Sequence, residues 1–71
     1  MDTMNSHVRV RRTARGWTQA QLGDLVGVSR QTINAIEAGR HDPSLTLAFH
    51  LADVLEERID SLFDPARDTV T

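Results

Sequence analysis

Three side chains stand close together in "SRQTINAIEAG", residues 29–39: Arg30, Gln31 and Asn34. A guanidinium can bridge O6 and N7 of guanine, and a carboxamide can bridge N6 and N7 of adenine. On a helical wheel of about 100° per residue, these three share one arc with Ala35 and Ala38. Ile33 and Ile36 fall on the opposite arc, with Thr32 and Glu37 at the margins. The pattern predicts a helix seated by its isoleucines, whose polar arc points outward. The alanines on that arc let another surface approach closely.

Other chemistry is sparse. His50 and Asp53 are spaced to face one way on a helix, but two ligands do not make a metal site, and His7 and His41 lie elsewhere. There is no cysteine, so neither a disulfide nor a thiolate metal site is available. Serine, histidine and aspartate are present, yet a helical chain this small has no room for a deep pocket or a nucleophile elbow. No glycine-rich phosphate loop occurs. These readings predict no enzyme, no metal, no cofactor and no small-molecule ligand. Trp17 is read as a core residue, not as a platform for stacking bases.

The elements that must position the polar arc are marked by helix punctuation. Asn5 or Ser6 can cap a first helix that runs to about Arg15 and stops at Gly16. Thr18 and Gln21 form a T-x-x-Q capping box that starts a second helix, with Trp17 and Leu22 at the positions of a hydrophobic staple. Leu22, Leu25 and Val26 form its buried stripe, and Gly27 ends it. Ser29 caps the third helix, with Val28 and Ile33 as a second staple, and Gly39 ends it. After the "RHDP" loop, Ser44 caps a fourth helix with Leu45, Ala48, Leu51, Ala52 and Leu55 inward. A fifth turn spans about Ile59 to Phe63, and Asp64-Pro65 ends it. No period-two pattern predicts a strand. The expectation is an all-α fold of five short helices, one domain over residues 5–64, with a frayed tail over 65–71. Two capped helices separated by about three residues have the layout of a helix-turn-helix.

The 71 residues carry a net charge of −2, unevenly spread. Residues 1–41 hold six arginines against Asp2, Asp24 and Glu37, a net of +3. Residues 42–71 hold Arg58 and Arg67 against five aspartates and two glutamates, a net of −5. An acidic total thus leaves room for a basic face toward nucleic acid. No stretch approaches the roughly 20 apolar residues of a membrane span, and the first residues lack the apolar segment of a secretion signal. A cytoplasmic location and no membrane partner are expected.

The segment "TQAQLGDLVGVSRQTINAIEAGR", with the following "PSLTLAFHLADVL", resembles the Cro/C1-type, or XRE-family, helix-turn-helix regulators. The likeness runs from about Val8 to Phe63. It implies a five-helix, lambda-repressor-like domain that binds double-stranded DNA, usually as a homodimer on a palindromic operator, and most simply as a repressor. Carried over by position, the resemblance implies that Arg30, Gln31 and Asn34 face bases and that Thr32 and Ala35 lie at the groove edge. It implies phosphate or groove-edge contacts for Gln19, Thr18, Arg40 and Ser44, in keeping with the positive potential of helix N-termini. It also implies an ion pair, partly buried, between Arg12 and Glu37.

Three positions depart from the pattern. Gly23 stands where alanine is commoner, and either permits close helix crossing. Arg11 stands where leucine is common and is expected to add a phosphate contact. "EER", residues 56–58, replaces the usual Gly-apolar-Ser turn, so the family geometry is not carried over to that connection or to a dimer contact there. Because the chain stops just after the DNA-binding fold, no effector domain is expected, and regulation would act through dimerisation, a partner protein or abundance. Two alternatives share the fold: an antitoxin or restriction-modification controller, and a protein-interaction adaptor that does not bind DNA.

Overall fold

Three of the helices begin where a hydroxyl caps them. In the computed structural model, which describes residues 5–64, Thr18, Ser29 and Ser44 each accept a backbone N–H from three residues on, at 3.0, 3.1 and 3.1 Å. They open α2 (Gln19–Val26), α3 (Arg30–Glu37) and α4 (Leu45–Leu55). At α2 the box is reciprocal, because the Thr18 N–H donates to Gln21 Oε1 at 2.8 Å. Such a cap replaces orphan helix N–H contacts with water and contributes about 1 kcal/mol. Gly27 ends α2 with φ 80°, a left-handed conformation without steric cost for glycine.

The first helix, α1 (Val8–Ala14), differs from expectation. His7, and neither Asn5 nor Ser6, holds the cap position, without a side-chain bond to the helix, while Ser6 Oγ accepts the Val8 N–H at 3.3 Å. Asn5–Ser6 instead form a two-residue strand, β1, antiparallel to β2 (Phe63–Asp64), which follows the short α5 (Ile59–Leu62). The His7 N–H donates to the Leu62 carbonyl at 2.8 Å, and His7 Nε2 lies 2.9 Å from Asp64 Oδ2. Phe63 therefore leaves the helix for the ladder, yet stays buried. The five expected helices are present, with this short ladder added. The predicted tail, residues 65–71, and Pro65 lie outside the described residues.

Val8, Leu22, Ile33, Ile36, Leu51, Leu55 and Leu62 are fully buried, so every helix contributes to one core. Trp17, Val28, Leu47, Val54 and Ile59 pack around it, half-buried. Two expected core residues are outside it. Leu25 is 52% exposed and Leu45 67%. Leu25 lies about 60° from Leu22 and about 100° from Val26 around α2, at the edge of the buried stripe, and Leu45 is the first residue of α4, short of the packed turns. No described helix is long and apolar enough to cross a membrane.

Candidate nucleic-acid interface

The turn between α2 and α3 is held by one carbonyl. Gly23 O accepts from both Gly27 N at 2.8 Å and Val28 N at 2.9 Å. This folds the turn back on α2 so tightly that a Cβ at residue 23 would sit 2.6 Å from the Val28 carbonyl oxygen. Glycine and alanine are thus not equivalent here: an alanine would require the turn to open. With Gly23 the two helices close up, and α3 is presented with its outer side clear.

On α3 the expected division is present. Ile33 is 0% and Ile36 1% exposed, while Arg30, Gln31 and Asn34 are exposed. Ala38 is exposed and Ala35 half-buried. Half-buried Thr32 has its hydroxyl 3.1 Å from Ser29 Oγ, where it supports the cap. Gln19, Arg30, Gln31 and Asn34 together line a shallow recess of about 280 Å³. A second recess, of about 290 Å³, shares Gln19 and Asn34 and adds Arg9, Arg12, Glu37 and Ala38. Neither α2, α3 nor α4 has an acidic residue in its first turn, so their free N–H groups keep their positive potential. Thr18 and Ser44 are exposed at two of those N-termini.

Beneath the arc, Arg12 and Glu37 meet in a two-pronged pair. Arg12 Nε donates to Glu37 Oε2 at 2.7 Å and Nη2 to Oε1 at 3.0 Å, while Nη1 donates to the Trp17 carbonyl at 2.7 Å. The side chains are only 11% and 4% exposed. The hydrogen bonds to Glu37 hold the guanidinium above its already high pKa, against the opposing effect of burial. The pair clamps α1 to α3 and leaves no net charge under the outer face.

The network continues outward. Gln19 Nε2 donates to Glu37 Oε1 at 3.1 Å, Asn34 Nδ2 to Gln19 Oε1 at a long 3.5 Å, and Arg40 Nη2 to Asn34 Oδ1 at 3.1 Å. The sequence reading missed these links, because they join residues from separate elements.

Arg11, expected at a phosphate, is turned elsewhere. Its Nε lies 3.5 Å from Glu57 Oε2, and Arg15 Nη2 likewise donates to the Leu55 carbonyl at 2.9 Å and to Glu56 Oε1 at 3.3 Å. This side of α1 is committed to the connection after α4. Two α1 arginines line the second recess: Arg12, which is engaged by Glu37, and Arg9, which the sequence reading passed over. Its i, i+3 spacing to Arg12 was the available signal, since such residues share a helix face.

An outward-facing second helix with a polar outer side, held by a tight turn to the first, defines a helix-turn-helix DNA-binding domain. The helix-turn-helix family model matches residues 8–62. The chain belongs to this family, that of Cro/C1-type DNA-binding transcriptional regulators. It is 43% identical over 60 residues to an uncharacterized HTH-type transcriptional regulator of Archaeoglobus fulgidus, covering 84% of this chain and 86% of that protein. Among solved structures it is similar to the P22 c2 repressor in complex with a synthetic operator (TM-score 0.74, 31% identity, 76% of this chain and 82% of that one). The restriction-modification controller protein C.AhdI from Aeromonas hydrophila is equally similar (TM-score 0.74, 33% identity, 80% and 86%).

Proposed function

We propose that this regulator is a repressor that binds a palindromic operator as a homodimer and blocks access to a promoter. One observation carries the reading: Arg30, Gln31 and Asn34 are exposed side by side while Ile33 and Ile36 of the same helix are buried. Arg30 donates to guanine, Gln31 and Asn34 bridge adenines, and Thr32 and Ala35 line the groove edge. Gln19, Thr18, Ser44, Arg40 and Arg9 meet phosphates and fix the register. Two such helices, one per copy, read half-sites about 34 Å apart. Double-stranded DNA as the partner puts the protein in the cytoplasm. The mechanism needs neither a cofactor nor a catalytic group.

Selection from a random duplex library, followed by a salt titration on the winner, tests this. An enriched inverted repeat is expected, with affinity falling steeply as salt rises. Absence of any enriched sequence refutes the reading. Weak binding at every salt concentration favours the adaptor instead. The likeness to C.AhdI supports a second reading, control of a restriction-modification system. Adjacent methyltransferase and endonuclease genes would establish it.

A further inference from the structure

The chain of side chains that runs from the buried ion pair to the outer face can be hydrogen-bonded in one direction only. At its inner end stands a carboxylate, which accepts and cannot donate. Glu37 Oε1 is 3.1 Å from the Gln19 carboxamide, so Gln19 must turn its NH2 group inward. Its oxygen then points out, toward Asn34, which must answer with its own NH2 group. At the outer end stands a guanidinium, which donates and cannot accept. Arg40 Nη2 is 3.1 Å from the Asn34 carboxamide, so Asn34 must turn its oxygen there. Both ends demand the same orientation of the two amides between them. The assignment thus follows from the chemistry of the ends and does not depend on telling oxygen from nitrogen in an amide.

We propose that Glu37 is a positioning residue which, through Gln19, fixes the direction in which the Asn34 carboxamide faces the bases, and so fixes on which strand its adenine lies. The inference rests on the reading of Asn34 as a base contact. An amide meets adenine with its oxygen at N6 and its NH2 at N7. Those two atoms lie in a set order across the major groove, and the order reverses when adenine and thymine exchange strands. An amide free to rotate by a half-turn accepts both arrangements; one held at both ends accepts one. Asn34 also keeps one N–H and one oxygen lone pair beyond those used by Gln19 and Arg40, which is what a two-pronged contact requires. Glu37 is 4% exposed and pinned by Arg12, so the inner end of the chain is fixed before DNA arrives.

The test measures the ratio of affinities for operators with A·T or T·A at the base pair that Asn34 reads, identified as the pair at which Asn34→Ala erases preference. For the unaltered protein the ratio should be about fivefold to a hundredfold, the range for one two-pronged contact. Gln19→Met removes both links and leaves the Arg12–Glu37 pair intact. It should lower the ratio, and with Arg40→Met added, which frees the outer end of Asn34 as well, bring it close to one while the preference for either arrangement over G·C persists. Glu37→Gln, which can present an acceptor or a donor to Gln19, should also lower the ratio in whatever fraction folds; where it does not fold, Gln19→Met decides. If Asn34→Ala erases a preference and Gln19→Met leaves the strand ratio unchanged, the relay is overturned and base reading stands. A loss on Gln19→Met that is equal for all sequences also overturns it, since that assigns Gln19 to the backbone alone. If Asn34→Ala alters no base preference, the reading of Asn34 fails and the relay with it.

Discussion

Glu37→Ala removes one member of a buried pair and leaves the other in place. Arg12 is only 9% exposed, and without the carboxylate its guanidinium retains the Trp17 carbonyl alone. Breaking a buried pair on one side costs about 3–5 kcal/mol, mostly from the charge left uncompensated. A stable domain has about 0.05–0.15 kcal/mol per residue, which for this chain is on the order of 4–11 kcal/mol in total. The substitution therefore removes about a quarter of the stability or more. At about 4–8 °C per kcal/mol for a domain of this size, the melting temperature should fall by at least about 12 °C. Thermal and urea unfolding followed by far-UV circular dichroism would measure it. Arg12→Met with Glu37→Leu supplies the control, because replacing both partners by apolar groups should restore most of the loss. A loss under about 1 kcal/mol for Glu37→Ala, the value of a solvated surface pair, would refute the reasoning. A double variant as unstable as the single would show that the cost lies in packing and not in the stranded charge.

Glu56→Gly should stabilise the fold by about 0.5–1 kcal/mol, because φ 56° strains a glutamate and not a glycine. The exposed ion pair with Arg15 that disappears with the carboxylate is worth little, so a lower melting temperature would contradict this. Arg30→Ala and Gln31→Ala should each relax one base pair per half-site at a cost of about 1–3 kcal/mol, read by competition among single-base operator variants. An equal loss on every sequence would remove that residue from base reading. Arg40→Ala should weaken binding and flatten the salt slope by about one unit, and an unchanged slope would end its phosphate role. The hydrogen bonds and charge of Arg58 depress the Asp60 pKa, so what little this exposed pair contributes is present above the usual aspartate pKa and lost as pH falls through the lowered one. Asp60→Asn should abolish that acid-side change in melting temperature, and an unaltered acid limb would contradict the assignment.

Local signals were legible where a residue satisfies its own backbone. Thr18, Ser29 and Ser44 cap their helices because a hydroxyl three residues before an orphan N–H can reach it in any context. The two-sided pattern of Ile33 and Ile36 against Arg30, Gln31 and Asn34 was legible for the same reason of periodicity. The β1–β2 ladder was not, since Asn5–Ser6 pair with residues nearly the whole chain away and carry no strand pattern of their own. Arg9 and Arg11 differ by two positions on one helix, and only the placement of Glu57 decides which arginine is drawn aside. Arg12 and Glu37 were paired by family resemblance, but the links from Glu37 to Gln19 and on to Asn34 required the packing of α2 on α3 to be known.

The pairing of Asn5 with Asp64 brings two remote points of the backbone side by side. A few glycines would suffice to join them into a ring, and the exposed stretch at 40–42, between α3 and α4, offers a place to cut it open again. A circularly permuted gene of this kind would keep every helix and reverse only the order in which the halves leave the ribosome. It would also leave α3 to emerge at the finishing end, so the timing of synthesis could be separated from the shape it produces.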